Sequence, residues 1–380
     1  MKHEAPRLTD RSSAAYDRGL MRPQIRERRI VVALVVSVLF VSSGVPTVFA
    51  QSAEFRAYVP NAADGTVSAV DFDSGTVVWA TQVSEGSQAQ PPEAAHGIAV
   101  SPDGTTVYAG DAATGELVVL DAAVGHVVAR LALPHNVHGI DISPDGRTVW
   151  VGGSDPDRFW LGMLSVVSTQ TMSVIRTVAP AVGSAAHVAF SPDGVEVWVA
   201  STTTNLVWVV DGRRMRLRDV IAMEDAEFPG AATPEGELGL VGINEVAVSP
   251  DGARAYAVGP EAAILYAIDA SSRRVAASVA AEPRAHGIVV SPDGTEVWTA
   301  NRSGSLTVFD AVTLGRLASV PMGDFANHVA FVPGGGLVLA TGESSLVVVD
   351  AASRRTIRTI PVGREPHEIA VGPIPPREGD

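Results

Sequence analysis

The chain has 380 residues, of which 46% are hydrophobic, 6% aromatic and 18% charged. This globular composition excludes a disordered or fibrous protein. Cysteine is absent, which excludes disulfides, thiolate nucleophiles and thiolate metal sites. The formal net charge of −14 argues against a nucleic-acid partner, because nucleic-acid binders present a basic face.

The N-terminal region has the pattern of a targeting segment. Residues 30–41 form an apolar run that follows a basic stretch ending at Arg29, and Val48–Ala50 offers small residues where a signal peptidase cleaves. We therefore expect residues 1–50 to be a signal peptide, with Met21 as an alternative start, and the mature chain to be secreted or periplasmic without a stable membrane span. An uncleaved N-terminal membrane anchor is the alternative, although the apolar run is short for a bilayer span of about 20 residues.

An internal repeat carries the information on fold. The tetrapeptide Ser-Pro-Asp-Gly occurs at 101–104, 143–146, 191–194, 249–252 and 291–294, and degenerate copies begin at Val332 and Gly372. A period near 42 residues with two longer units indicates one supersecondary unit that carries loop insertions. Pro sets φ at the first turn position and Gly accepts a positive φ, so each copy predicts a hairpin turn between two strands.

Each unit predicts four short strands. In the first complete unit these strands are Gly97–Val100, Thr106–Ala109, Glu116–Leu120 and Val127–Leu131. An acidic residue ends the third strand of most units, and we interpret it as turn chemistry because an Asp carboxylate can bind its own backbone two residues further on. The residues in this series are Asp71, Asp121, Asp211, Asp269, Asp310 and Asp350, with Ser168 as the exception.

Two incomplete units at the ends of the chain add one further blade to the six complete ones. The N-terminal part supplies the second to fourth strands at Phe55–Asn61, Thr66–Asp71 and Thr76–Val83, and the C-terminal part supplies a first strand at Glu368–Val371. Pairing the two fragments closes the ring and removes its free edges. The sequence therefore predicts an all-β protein, a single seven-bladed β-propeller of four-stranded blades over residues 51–373, followed by a disordered tail at 374–380.

The segments His96–Ala109 and Ala57–Asn61 resemble the YVTN β-propeller repeat family. The resemblance extends over residues 54–373 and implies the propeller fold. It implies no single function, because such propellers serve as surface proteins, binding platforms, lactonase relatives and metalloprotein domains.

Histidines cluster at one place in the repeat. Six of the nine histidines lie where the innermost strand begins, and an asparagine takes that place in the remaining unit. The seven residues are His96, His138, His187, Asn244, His286, His328 and His367. His187 and His328 lie one residue closer to the turn than the other five, and a one-residue slip can turn a side chain to the opposite face of a strand. Their membership of the set is therefore open.

The position of these histidines suggests a metal site. The innermost strands surround the propeller axis, so the residues that open them form one rim of the central channel. A ring of neutral imidazoles there suits a transition metal such as copper, iron, zinc or nickel. Other seven-bladed propellers, among them the carotenoid-cleaving oxygenases and nitrous oxide reductase, hold metals on axial histidines, which is an analogy in architecture only. The alternative is that histidine is the consensus residue of this repeat and binds a neighbouring blade without any metal.

Two insertions and one arginine are candidates for contacting a small ligand at the channel rim. Asp157, Phe159 and Trp160 lie in the insertion Gly153–Leu161, and long loops in a compact domain often bind ligands. The longer insertion, Glu224–Ile243, directly precedes Asn244. Arg284 lies two residues before His286, where it would suit an anionic ligand.

Three classes of function follow. The first is an exported propeller that binds a transition metal and acts as a metallo-oxidoreductase or a metal carrier. The alternative is a non-enzymatic propeller of the cell surface or periplasm that binds a protein or another ligand. A lactonase-like hydrolase is third, because the repeats show no acidic cluster at the rim. Local catalytic motifs are absent from the sequence, so it does not decide whether the protein is an enzyme.

Overall fold

The computed structural model describes residues 55–84, 94–158, 160–179, 183–223, 242–259, 263–323 and 325–375. The predicted signal peptide, Phe159, most of the insertion that precedes Asn244, and residues 376–380 lie outside these ranges. Within them the regular structure consists of 28 strands in seven four-stranded antiparallel sheets. Across the same residues, no helix has the length and apolar character needed to span a membrane.

Each of six blades is built from four strands that are consecutive in the chain. Blade 1 comprises β4 (Ala95–Val100), β5 (Thr106–Asp111), β6 (Glu116–Asp121) and β7 (Val127–Ala132). Blade 2 comprises β8 (Ile140–Ile142), β9 (Thr148–Ser154), β10 (Gly162–Ser168) and β11 (Ser173–Val178). Blade 3 comprises β12 (Val188–Phe190), β13 (Glu196–Ala200), β14 (Leu206–Asp211) and β15 (Arg216–Ala222).

Blades 4 to 6 follow the same order. Blade 4 comprises β16 (Glu245–Val248), β17 (Arg254–Gly259), β18 (Ile264–Asp269) and β19 (Arg274–Ala280). Blade 5 comprises β20 (Ala285–Val290), β21 (Glu296–Asn301), β22 (Ser305–Asp310) and β23 (Arg316–Pro321). Blade 6 comprises β24 (Val329–Phe331), β25 (Leu337–Thr341), β26 (Ser345–Asp350) and β27 (Arg355–Pro361).

Blade 7 joins the two ends of the propeller. It comprises β28 (Ala370–Pro373), β1 (Phe55–Asn61), β2 (Thr66–Asp71) and β3 (Thr76–Gln82). Strand β28 pairs antiparallel with β1, with Phe55 opposite Pro373 and Tyr58 opposite Ala370. The predicted seven-bladed ring and the way it closes are confirmed. The closing strand begins two residues later than predicted, and before it the N–H of His367 donates a single hydrogen bond to the carbonyl of Pro60.

The first strand of each blade lies nearest the axis, and the hydrophobic core lies between the blades. First strands contact the first strands of neighbouring blades, whereas fourth strands are largely exposed. Seven apolar clusters each join two adjacent blades, as where Trp198 of blade 3 packs with Tyr266 of blade 4. Because neighbours cover both faces of a blade, the middle strands are buried along nearly their whole length instead of alternating.

The repeated tetrapeptide forms the predicted hairpin turn. In the first copy the Ser101 hydroxyl donates to an Asp103 carboxylate oxygen at 2.6 Å, and the Thr105 N–H donates to the same oxygen at 3.0 Å. Gly104 adopts a φ of +72° and donates its N–H to the Ser101 carbonyl at 2.8 Å. The aspartates that end third strands also act as predicted, since Asp71 accepts hydrogen bonds from two backbone N–H groups of the following turn.

Candidate metal centre

Two consecutive residues lie at or just before the start of each innermost strand. Across the seven blades, these residues form two rings around the axis, called here the first ring and the second ring. The first ring lies five residues before each turn and contains His96, His138, Ala186, Asn244, His286, Asn327 and His367. The second ring lies one residue further on and contains Gly97, Gly139, His187, Glu245, Gly287, His328 and Glu368. The one-residue offset seen in the sequence therefore places His187 and His328 in a ring of their own.

The six imidazoles of both rings form one contiguous cluster. Ring centroids are 3.8 Å apart for His96 and His367, and 4.3 Å apart for His96 and His138. The centroid of His328 lies 4.9 Å from those of His187 and His286 and 4.5 Å from that of His367. The structure thus brings together all six histidines that the sequence singled out, including the two of open membership. Five are buried and His138 is partly buried.

Glycines in the second ring make this convergence sterically feasible. A Cβ atom on Gly139 would lie 2.7 Å from Cα of His187 in the next blade, and one on Gly287 would lie 2.7 Å from Cα of His328. A Cβ on Gly97 would lie 2.2 Å from the carbonyl oxygen of His138. Near the start of these strands the ladder shifts register, between His96 and Ile98 in β4 and between Ala285 and Gly287 in β20. Glycine on one blade therefore gives the next blade room to reach the axis.

Most of the imidazoles have a buried nitrogen without a partner. Among the described residues no hydrogen-bond partner is found for Nδ1 of His138, His286 and His367 or for Nε2 of His187 and His328. In the described part of the chain, Nδ1 of His96 lies 3.1 Å from the backbone carbonyl oxygen of His138. A buried polar atom without a partner is costly, and native proteins rarely leave several together. The arrangement differs from histidines that each bind the backbone of a neighbouring blade.

Three carboxyl groups accompany the histidines, with Glu368 buried and Glu245 and Asp141 partly buried. Glu368 Oε1 lies 2.8 Å from Nδ1 of His187, and Glu245 Oε2 lies 3.2 Å from Nδ1 of His328. Glu368 also accepts the N–H of Ile98 of blade 1 at 2.9 Å, and Glu245 accepts the N–H of Ile288 of blade 5 at 2.8 Å. The side chain of each glutamate therefore extends to the next blade and contacts it directly after the second-ring glycine of that blade.

The third carboxyl group belongs to Asp141, which lies deeper in the channel and accepts the N–H of Phe190 at 3.0 Å. The sequence analysis found no acidic cluster at the rim and so missed all three groups. They escaped notice because Asp141 and the two glutamates occupy different positions of the repeat. The available signal was that Glu245 and Glu368 stand where three other units have glycine.

The electrostatics of the cluster favour neutral imidazoles. Burial, followed by the charges of neighbouring histidines or of Arg302, holds the pKa of His138, His286 and His367 well below the ordinary value. Burial and His187 do the same for the pKa of His328. These four rings are therefore neutral at pH 7, the form that ligates a metal.

The acidic residues and His187 form the charged part of the site. Burial raises the pKa of Glu245 to about 7, although His187 and the Ile288 N–H act in the opposite direction. Burial also raises the pKa of Asp141 to about 7. Burial lowers the pKa of His187, but the hydrogen bond to Glu368 and the charges of Glu368 and Glu245 outweigh it, so this pKa is raised. Burial therefore disfavours the charged forms of Glu245 and Asp141.

Three sets of side chains can each bring three ligand atoms within 4.8 Å of one another. The sets are His286 with His328 and His367, His96 with His367 and Glu368, and His187 with Glu245 and His328. Metal binding by Asn244 stays a prediction, and its buried side-chain oxygen has no hydrogen-bond partner among the described residues. Its side-chain N–H₂ donates a hydrogen bond to the backbone carbonyl of His286 at 2.9 Å, which links blade 4 to blade 5.

Cavities lie against both rings. The channel cavity, of about 400 Å³, is lined by the innermost strands of all seven blades and by His187, His328, Glu245 and Glu368 of the second ring. The rim cavity, of about 530 Å³, is lined by His367 together with Arg302, Phe325 and Asn327. The cluster is therefore reached from two cavities.

The predicted ligand-contact residues lie apart from these cavities. Neither cavity has Asp157, Trp160 or Arg284 among its lining residues in the described part of the chain. Asp157 lies in a turn capped by Asp155, and Trp160 is 53% exposed. Phe159 lies outside the described residues. The arginine whose charge acts on the histidines is Arg302, which the sequence analysis did not single out. Ligand binding by the predicted residues stays a prediction.

Comparison with known proteins adds to the fold assignment. Residues 63–211 match the family model described as outer membrane protein assembly factor BamB. A search of curated protein sequences finds no match.

Two solved structures with a similar fold share little sequence with the chain. The Kuenenia stuttgartiensis hydrazine synthase structure is 19% identical, with a TM-score of 0.61 over 76% of this chain and 92% of that one. A chain of a mitotic checkpoint complex is 15% identical, with a TM-score of 0.58 over 71% of this chain and 78% of that one. At such identities the likeness concerns the fold alone, and the finer YVTN resemblance stays a prediction. The chain is thus a seven-bladed β-propeller protein, similar over part of its length to BamB.

Proposed function

We propose that the protein is an exported β-propeller that binds a transition metal ion at its axial histidine cluster, as a metallo-oxidoreductase or a metal carrier. The observation that carries this proposal is the group of five buried imidazole nitrogens that have no partner among the described residues. Ligation would satisfy them, and the lowered pKa of most of these imidazoles keeps them ready to bind. Export is supported by the apolar run at residues 30–41 and the small residues before Gln51.

The donor set restricts the choice of metal. Imidazole nitrogens and carboxylate oxygens are present, and cysteine is absent from the whole chain. Such sets suit iron, zinc or copper(II), and they disfavour ions that require thiolates. The pairs of Glu368 with His187 and of Glu245 with His328 also resemble the carboxylate–histidine contacts that orient metal-binding rings.

Elemental analysis of protein purified from its native compartment tests the proposal. We expect a transition metal in fixed stoichiometry. Every set of three ligands contains His328 or His367, so the double variant His328→Ala/His367→Ala should lose the metal. His126→Ala is the matched control, because this exposed histidine lies in the turn between β6 and β7. A folded wild-type protein without metal, or a double variant that retains it, would contradict the proposal.

A second candidate is a non-enzymatic propeller that binds another protein. It is favoured by apolar side chains on outermost strands, where Val78 of β3, Val128 of β7 and Leu317 of β23 are all exposed. The similarity to BamB, described as an assembly factor, points the same way. This candidate predicts metal-free native protein and lower stability whenever a ring histidine is removed, so the same analysis distinguishes the two.

A further inference from the structure

We propose that the histidine cluster is a two-metal centre, with one ion held by His96, His367 and Glu368 and a second held by His187, Glu245 and His328. This inference rests on the proposed function, because it specifies how many ions the same cluster binds and which residues hold each.

The three ligand sets share residues. His367 occurs in two of the three sets, and so does His328. Only the two sets named in the proposal have no residue in common, so only these two can be filled at the same time. The remaining set, which includes His286, draws one histidine from each of them. An ion bound by this set would therefore compete with the ions bound by the other two sets.

The number of donors also favours two ions. Six imidazoles and two glutamates converge, whereas protein-bound transition metals usually take four to six ligands. A single ion held by one set ligates two or three imidazoles, whereas the two ions ligate four, so fewer buried nitrogens are left without a partner.

Charge balance also favours two ions. Each set contains two histidines and one glutamate, so each ion would have one carboxylate to offset its charge. Glu368 is buried and Glu245 is partly buried, and neither has an arginine in contact within the described residues. Two cations shared between two carboxylates compensate both acids. One cation would leave the other glutamate dependent on a histidine alone.

The two sets are close neighbours. Nδ1 of His187, from one set, lies 2.8 Å from Oε1 of Glu368, from the other. The ring centroids of His328 and His367, again one from each set, are 4.5 Å apart. Two histidines and one carboxylate leave coordination positions open, and the channel cavity touches members of both sets. A small molecule in the channel could therefore reach both ions at once.

Metal counting separates this inference from the proposed function. Apo-protein is titrated with Co²⁺ and followed by visible absorption, and the saturated protein is counted by elemental analysis. We expect two ions per chain in the wild type. Glu245→Gln and Glu368→Gln should each lose one ion, and the double variant should lose both. Glutamine keeps the side-chain size and can still accept the backbone hydrogen bond from Ile288 or Ile98. The His126→Ala variant should retain two.

Each outcome is decisive. One ion in the wild type overturns the inference and leaves the proposed function standing, whereas no ion overturns both. Two ions retained in both glutamine variants overturns the assignment of the glutamates as ligands. Thermal melting of each variant checks that it is folded. If a glutamine variant does not fold, His187→Gln and His96→Gln test the same two sets, and each should again lose one ion of two.

Discussion

Replacing Gly97 with Ala tests the close packing of blades that brings the histidines together. Gly97 has a φ of +69°, and an added Cβ would lie 2.2 Å from the backbone oxygen of His138 and 2.9 Å from a side-chain carbon of Ile140. Gly146 offers a matched control, because its φ is also +69° and its nearest neighbour is a side-chain carbon of Pro102 at 3.2 Å. Both substitutions place an alanine in a left-handed backbone conformation. They differ in how closely the added Cβ atom approaches the neighbouring blade.

The expected magnitudes follow from these two contributions. A left-handed conformation costs an alanine about 1–2 kcal/mol, and the stiffer unfolded chain returns about 0.4–1 kcal/mol. Forcing extra volume into a packed site costs about 1–3 kcal/mol more. We therefore expect the free energy of unfolding to fall by roughly 1 kcal/mol for Gly146→Ala and by roughly 2–4 kcal/mol for Gly97→Ala.

Thermal melting and urea titration of both variants measure the difference. At about 2–4 °C per kcal/mol, Gly97→Ala should melt roughly 2–12 °C below Gly146→Ala. Since the clash separates blade 1 from blade 2, it also displaces His96 and His138, so the metal content should fall in Gly97→Ala only. Equal melting temperatures would refute the reasoning that close contact between second-ring glycines and the next blade holds the cluster together.

Three other predictions concern closure, acid stability and export. Truncation after Gly363 removes β28 and leaves β1 paired with β2 alone, with its other edge exposed, so melting temperature and solubility should both fall; a truncated chain that melts like the full one would contradict closure by β28. The hydrogen bonds from Ser101 and the Thr105 N–H lower the pKa of Asp103, so its stabilisation is present above about pH 4 and is lost as the pH falls below that value. Asp103→Asn should flatten the fall of melting temperature with acid, and an unchanged slope would argue against this contribution. Sequencing of the exported protein should find Gln51 at the N-terminus, whereas an intact 30–50 segment in membranes would favour the anchor.

Local chemistry explains why so much of the fold could be predicted from the sequence. The Ser-Pro-Asp-Gly turns depend on contacts within a few residues, such as Ser101 with Asp103, and their spacing marks each blade. The closure of the ring followed from the two incomplete units at either end, since a lone first strand and a lone set of three strands complete each other. The strand boundaries were less certain, as with β28, because single hydrogen bonds outside the ladder precede it.

The candidate site was predicted only in part. Repeat alignment located the histidines at the axis, because a repeated position in the sequence is a repeated position in a ring. It did not decide whether His187 and His328 belong to the histidine set. It also missed Glu245 and Glu368, because a repeat position is conspicuous only where several units have the same residue type. These four residues are members of one ring whose other positions are glycine.

The sequence by itself determined seven blades, their four strands, the closing pair and the axial location of six histidines. The tertiary structure alone decided that both rings merge into one cluster and that Glu368 of blade 7 lies 2.8 Å from His187 of blade 3. The physical reason is that turns and strands arise from interactions between near neighbours in the chain. A contact across the axis depends on the geometry of the closed ring and on whether the glycines let adjacent blades approach.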